Sequence, residues 1–370
     1  MNRRQLIARA LALGVQAWPA SQVLAQARSR RKPLTVPRVN GAINVHPVRR
    51  FDQVSDFTPP VIVPELVDRQ MRQVYELGFE RTRTTISFSD FGPDFLAAIP
   101  YVRGARALGV DVLGILGQFG FGFDLTRALS DPWKRAVVLD TVLEIFAGEV
   151  SPASHQVARA GDFALQILNE PSHFLGLDPG DYVRHFLGPV YRDLKERRSD
   201  LVVVSAATVG SRDGVPRLRR MIEAGMERSC DVVAIHVYDL RTLTRLAGLF
   251  SKPVWVTESG SFGTGTHLDW FRNTFARIRL EIPEVVHIFY FDLFDNEPGG
   301  FRLIDIRQDP AAGAVLEVES GDLYDFLVSR ARTALGKRPA VDYAELVPDI
   351  TRYFPTDHDL ALIDAARAVL

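Results

Sequence analysis

The feature that most constrains this chain is a regular alternation. Eight short apolar runs are separated by segments of helical length with apolar residues three and four positions apart. The runs are GAINVH (41–46), RTRTTIS (81–87), DVLGIL (111–116), FALQILN (163–169), LVVVSAAT (201–208), DVVAIHVY (231–238), PVWVTES (253–259) and VVHIFYFDLF (285–294). Amphipathic stretches such as PELVDRQMRQVYELG, DPWKRAVVLDTVLEIFAG, DYVRHFLGPVYRDLKER and HLDWFRNTFARIRLEI lie between them, and Asp131-Pro132 and Asp178-Pro179 supply helix caps. Eight strands, each followed by a helix, fit a (β/α)8 barrel. The structural competitor is a doubly wound open sheet. That fold carries a glycine-rich phosphate loop after its first strand, and INVHPVRRF contains no glycine. The expected fold class is α/β: a (β/α)8 TIM barrel in a single domain with a short C-terminal helical extension.

The two ends of the chain read differently from the middle. Arg3-Arg4 precede a moderately apolar stretch from Leu6 to Trp18, and Ala25-Gln26-Ala27 has the small-x-small form of a cleavage site. The segment resembles a twin-arginine export signal, which implies a periplasmic or secreted protein. An amphipathic helix of the domain itself, interrupted by Arg9, is the other reading. The expected organisation is residues 1–27 as a cleaved signal, 28–340 as the barrel and 341–370 as an extension packed on it. No other apolar run is long enough to span a bilayer, so no stable membrane span is expected after signal removal. A net charge of −1 argues against a nucleic-acid partner. Cys230 is the only cysteine, so no intrachain disulfide is possible and stability rests on the core.

The active site of such a barrel lies at the carboxyl ends of its strands. The polar residues there are therefore the candidates. The fourth run ends in Asn169-Glu170 and the seventh in Glu258; the sixth ends in His236 and Tyr238, and the second carries Arg81 and Arg83. Alternation puts His236 with Tyr238, and Arg81 with Arg83, on common strand faces. Glu170 and Glu258 come from strands three apart, and across a narrow barrel their side chains converge. Two converging carboxyl groups suit cleavage of a glycosidic bond. One is protonated to release the sugar oxygen, and the other is ionised to attack or stabilise the anomeric carbon. Mutual repulsion raises one pKa, while a cationic or hydrogen-bonding neighbour lowers the other. This chemistry needs no cofactor and no metal; the expected partner is a carbohydrate, and the sequence does not specify an oligomeric state.

ILNEP closing the fourth strand and VWVTESG closing the seventh resemble the retaining β-glycosidases of glycoside hydrolase clan A, which includes cellulase-like and xylosidase-like families. GFERTRTTISF is similar to that clan's second-strand pattern, aligning Arg83, Ser87 and Phe88. The resemblance spans roughly residues 40–335, and its specific part is confined to these strand ends. It implies Glu170 as general acid/base, Glu258 as nucleophile and Asn169 as a partner of the sugar 2-hydroxyl. Arg83 and Tyr238 would hold Glu258 ionised and oriented, and His236 would line the site. The eighth strand departs from the clan, many of whose members carry a tryptophan there. Here Tyr290 or Phe291 would supply the sugar platform, with Asp292 and Asp295 nearby, and Phe119, Phe121 and Phe123 of GQFGFGFD are candidates for further platforms.

Three rivals remain at this level. A metal-dependent hydrolase on the same barrel would show a His-x-His pair on its first strand, where INVHPV has His46 alone. A non-catalytic carbohydrate-binding barrel would not need both carboxylates. A transglycosylase would use the same covalent intermediate with a different acceptor.

Overall fold

The apolar runs fold into parallel strands, and the amphipathic segments fold into helices that cover them. The computed structural model describes residues 39–44, 64–86, 93–117, 125–148, 162–261, 267–291, 304–308, 315–335 and 349–369, all within one compact unit, Val36–Leu370. The export signal expected at residues 1–27 lies outside the described residues.

The strands are β1 (Val39–Asn44), β2 (Phe79–Ile86), β3 (Asp111–Leu116), β4 (Phe163–Ile167), β5 (Val202–Val204), β6 (Val233–His236), β7 (Val254–Ser259) and β8 (Val285–Tyr290). Behind them come α1 (Pro64–Leu77), α2 (Pro93–Ala107), α3 (Pro132–Val142), α4 (Gly188–Arg197), α5 (Gly214–Glu223), α6 (Leu243–Leu246), α7 (His267–Glu281) and α8 (Asp322–Leu335). The strand order is β5-β4-β3-β2-β1-β8-β7-β6, with β1 paired in parallel to both β2 and β8. The two outer strands of that order also meet. Val204 bridges Val232 in parallel, Asp231 N–H donates to the Val203 carbonyl at 2.8 Å, and Ser205 N–H donates to the Val232 carbonyl at 3.1 Å. The fold is the (β/α)8 barrel.

β4 and β7 are buried at every position, as expected of strands with a filled interior on one face and helices on the other. Leu113, Ala164, Val204, Ala234, Trp255 and Phe289, one from each of six strands, form an apolar cluster that fills the barrel centre. β5 stops well short of the run LVVVSAAT because side chains take over its ladder: Ala206 N–H donates to the Tyr182 hydroxyl and Ala234 N–H to Ser205 Oγ.

The helix starts follow the capping signals. Asp131 accepts from Trp133 and Lys134 N–H at 2.9 and 3.1 Å, and Asp178 from Gly180 and Asp181 N–H at 2.8 and 3.2 Å. Two of the amphipathic segments depart from plain α geometry, with π-helical turns at Leu143–Ala147 and Tyr182–Leu187. Between β8 and α8 the chain forms an antiparallel hairpin, β9 (Ile304–Gln308) with β10 (Val315–Ser320). The last helix, α9 (Asp357–Val369), is joined to α2 by Arg103, whose two terminal nitrogens donate to Asp359 at 2.9 and 2.7 Å. Among the described residues, no helix is long and apolar enough to cross a membrane.

Candidate active site

The chain leaves β4 through an unusual backbone. Leu168 (φ 63°) and Glu170 (φ 41°) are the two non-glycine residues with positive φ among those described. Each left-handed residue costs about 1–3 kcal/mol, and Glu170 also precedes Pro171, which by itself disfavours such a backbone. The surroundings hold the segment in place. Leu168 N–H donates to the Leu116 carbonyl at 3.0 Å, and the Glu170 carbonyl accepts from His173 and Phe174 N–H at 2.8 and 3.1 Å. In an ordinary strand Asn169 and Glu170 would point to opposite faces. Here both turn into the barrel.

Opposite them, β6 and β7 pair with an irregularity between Ile235 and His236, so that His236 comes level with Glu258. The loop after β5 comes close to His236 and Tyr238. Tyr238 N–H donates to the Gly210 carbonyl at 3.3 Å, and a Cβ on Gly210 would sit 2.7 Å from Tyr238 Cδ2 and 3.0 Å from His236 Cβ. Only glycine allows that approach.

The resulting constellation is connected throughout. Glu258 Oε1 accepts from Arg83 Nη1 at 2.8 Å and from Asn169 Nδ2 at 3.4 Å, and Oε2 accepts from the Tyr238 hydroxyl at 2.9 Å. Arg83 is fully buried; its Nη2 donates to Asn169 Oδ1 at 2.8 Å and its Nε to Gln166 Oε1 at 3.1 Å. His236 stands between the two carboxyl groups, with Nδ1 2.6 Å from Glu170 Oε1 and Nε2 3.4 Å from Glu258 Oε1. Oxygens of Glu170 and Glu258 lie within 4.8 Å of one another.

Burial alone would push the Glu258 carboxyl up. The electrostatic pull of the neighbouring His236 ring, the Arg83 guanidinium and the hydrogen bonds from Arg83 and Tyr238 outweigh it, leaving this carboxyl below the usual range. Burial first, then the Glu258 charge, hold the Tyr238 phenol well above its ordinary value, so it stays protonated and donates. The site therefore offers one bare carboxylate with fixed donors and a second carboxyl group bonded to an imidazole. By distance alone Glu170, His236 and Glu258 can hold a cation. However, the Arg83 guanidinium already contacts Glu258, and a metal ion would be placed against that charge.

Arg83, Asn169, Glu170, His236, Tyr238 and Glu258 are thus brought together. The two aromatic candidates of the eighth strand separate. Phe291 meets the Tyr238 ring edge-on, with centroids 6.2 Å apart. Tyr290 turns the other way, fully buried against α7, with its hydroxyl on His267 Nδ1 and its ring beside Phe275. Phe289 occupies the barrel interior, and successive strand residues alternate between faces. Arg81 faces inward one layer below Arg83 and bonds Asp111. Phe119, Phe121, Phe123, Asp292 and Asp295 lie outside the described residues. Gln166, bonded to Arg83 and Asn169, was not among the sequence candidates; the signal for it is an amide on the inward register of FALQIL, in line with Ala164.

No family model matches this chain, and no curated protein is similar to it in sequence. Solved structures are similar in fold. A β-glucosidase from Thermotoga maritima superposes with a TM-score of 0.52 at 11% identity, covering 82% of this chain and 99% of that one. The virulence factor SghA of Agrobacterium tumefaciens, solved with its substrate analogue salicin, gives 0.51 at 12% identity, covering 85% and 99%. The catalytic domain of GH30 xylanase C from Talaromyces cellulolyticus gives 0.50 at 11% identity, covering 83% and 78%. At these identities the likeness is one of fold.

Proposed function

We propose that this chain is an exported retaining glycosidase that cleaves O-glycosidic bonds of a β-linked poly- or oligosaccharide by double displacement. The observation that carries the reading is the carboxyl pair: two oxygens within 4.8 Å, with one group held ionised. Retaining enzymes place their two carboxyl groups about 5–5.5 Å apart, and inverting ones about 6.5–9.5 Å. The β-glucosidase and xylanase named among the fold neighbours support a β-linked substrate, and the pattern at residues 1–27 supports export.

In this mechanism Glu258 attacks the anomeric carbon while Glu170 gives its proton to the departing glycosidic oxygen, and a covalent glycosyl-enzyme forms. Glu170, now a carboxylate, takes a proton from water, whose oxygen attacks the same carbon and frees Glu258. Arg83 and Tyr238 keep the nucleophile bare and aimed. His236 bonds the carboxyl group that exchanges its proton twice per turnover. Asn169, its carbonyl oxygen held by Arg83, presents its NH2 toward Glu258 and the sugar 2-hydroxyl beside it.

Aryl β-glycosides and azide test the assignment. Glu258→Gly loses hydrolysis and regains turnover with azide, yielding a glycosyl azide of inverted configuration. Glu170→Ala retains attack on substrates whose leaving group needs no protonation. Wild-type rates in both variants would end the proposal. Sugar binding without turnover by the wild type would make the chain a carbohydrate-binding barrel. Transfer to a sugar acceptor in preference to water would make it a transglycosylase.

A further inference from the structure

Gln166 is the one buried side chain of the constellation with no part in the chemistry above. It sits on the inner face of β4, fully buried, three residues before Asn169. Its amide can be oriented in one way only. A guanidinium donates and never accepts, so the oxygen must face Arg83 Nε, at 3.1 Å. The NH2 group then faces two acceptors, the Leu168 carbonyl at 3.0 Å and Asn169 Oδ1 at 3.2 Å.

These bonds have consequences beyond Gln166. Asn169 Oδ1 is doubly occupied, by Arg83 Nη2 and by Gln166 Nε2, so the Asn169 amide is locked with its own NH2 toward Glu258. Leu168, whose carbonyl Gln166 holds, is the first of the two left-handed residues that swing Glu170 into the barrel. One amide therefore reaches the guanidinium that serves Glu258 and the backbone turn that aims Glu170.

We propose that Gln166 is the positioning residue of this site: it orients Arg83 and Asn169 toward Glu258 and pins the left-handed turn that delivers Glu170, without touching either glutamate. The proposal rests on the glycosidase reading for its kinetic consequences but not for its geometric ones.

Gln166→Glu keeps the shape and replaces the NH2 with a second oxygen. The introduced carboxylate still accepts from Arg83 but faces two acceptors, and it shares the guanidinium charge with Glu258. The expected result is a folded protein whose kcat on a 4-nitrophenyl β-glycoside falls about tenfold or more with little change in KM. The acid limb of its pH profile moves upward, and so does the Glu258 carboxyl midpoint in a 13C titration, by about half a unit or more. The resonance is assigned by its absence in Glu258→Gln. Gln166→Leu adds no charge; its kcat drops as well, while its acid limb moves less. A folded Gln166→Glu with the wild-type midpoint and profile overturns the proposal. If that variant does not fold, a folded Gln166→Leu with wild-type kcat overturns it. If wild type cleaves none of a panel of aryl glycosides, the glycosidase reading fails, and the carboxyl titration still decides the role of Gln166.

Discussion

Arg81 and Arg83 lie two residues apart on the same face of β2, and they inhabit different worlds. Arg83 reaches across the barrel, its guanidinium bonded to Gln166, Asn169 and Glu258 from two other strands. Arg81 bonds Asp111 on the neighbouring strand and stacks 4.3 Å over Trp255, leaving Nε and Nη1 without a partner. Residue type, strand and direction are shared. Depth along the barrel is what differs: the upper layer faces the open ends of the strands, where charges from distant segments meet, and the lower layer closes the floor. Of the two buried arginines, Arg83 alone takes its carboxylate partner from across the ring.

Three substitutions sharpen or break that contrast. The largest effect is expected from Arg83→Lys, which keeps the charge and loses the three-way fork. kcat/KM should fall about 10²–10³-fold, and the acid limb should move up because Glu258 loses the Arg83 hydrogen bond to its charged form. The sign follows from linkage. A carboxyl held below its ordinary value in the fold stabilises that fold above the ordinary glutamate range, and the stabilisation drains as pH falls through the lowered value. Acid unfolding of the lysine variant should therefore begin at higher pH, which a circular dichroism titration measures. Next comes Tyr238→Phe, which removes one donor from Glu258 Oε2. A loss of about tenfold in kcat/KM is expected, with a smaller shift of the acid limb in the same direction. The smallest effect should be that of Arg81→Met, whose apolar chain still covers Trp255. Asp111 is 23% exposed and keeps access to water, so stability should change by about 1 kcal/mol and kcat/KM by about twofold at most. A hundredfold loss in Arg81→Met would abolish the distinction between the two layers.

The strand ends were legible because polar side chains at the close of an apolar run stand out, and in a barrel those positions share one face. That argument named Asn169, Glu170, His236, Tyr238 and Glu258 together with Arg81 and Arg83, the resemblance of GFERTRTTISF singled out Arg83, and the fold brings all of these but Arg81 into one cluster. It failed where both faces of a strand are apolar. FYF at the end of β8 has no polar marker of register, so Tyr290 and Phe291 were equal candidates, and the packing of Phe289 inside the barrel, with Tyr290 on His267 and Phe291 against Tyr238, separates them. Gln166 was hidden for the opposite reason: a single amide within FALQIL reads as a tolerated polar residue until its three bonds are seen. The left-handed backbone at Leu168 and Glu170 was unreadable as well, since neither residue type favours it. Tertiary contacts impose it.

The three-residue β5 pairs along its whole length with β4, but toward β6 it has one bridge, a few backbone bonds and the side chains of Asp231 and Ser205. Glu170 hangs from the strand on one side of β5 and His236 from the strand on the other, so their short bond works as a clasp over the thinnest link of the wall. Under the proposed mechanism the proton of Glu170 leaves and returns once per turnover, so the bond that changes with the cycle is the one that spans β5.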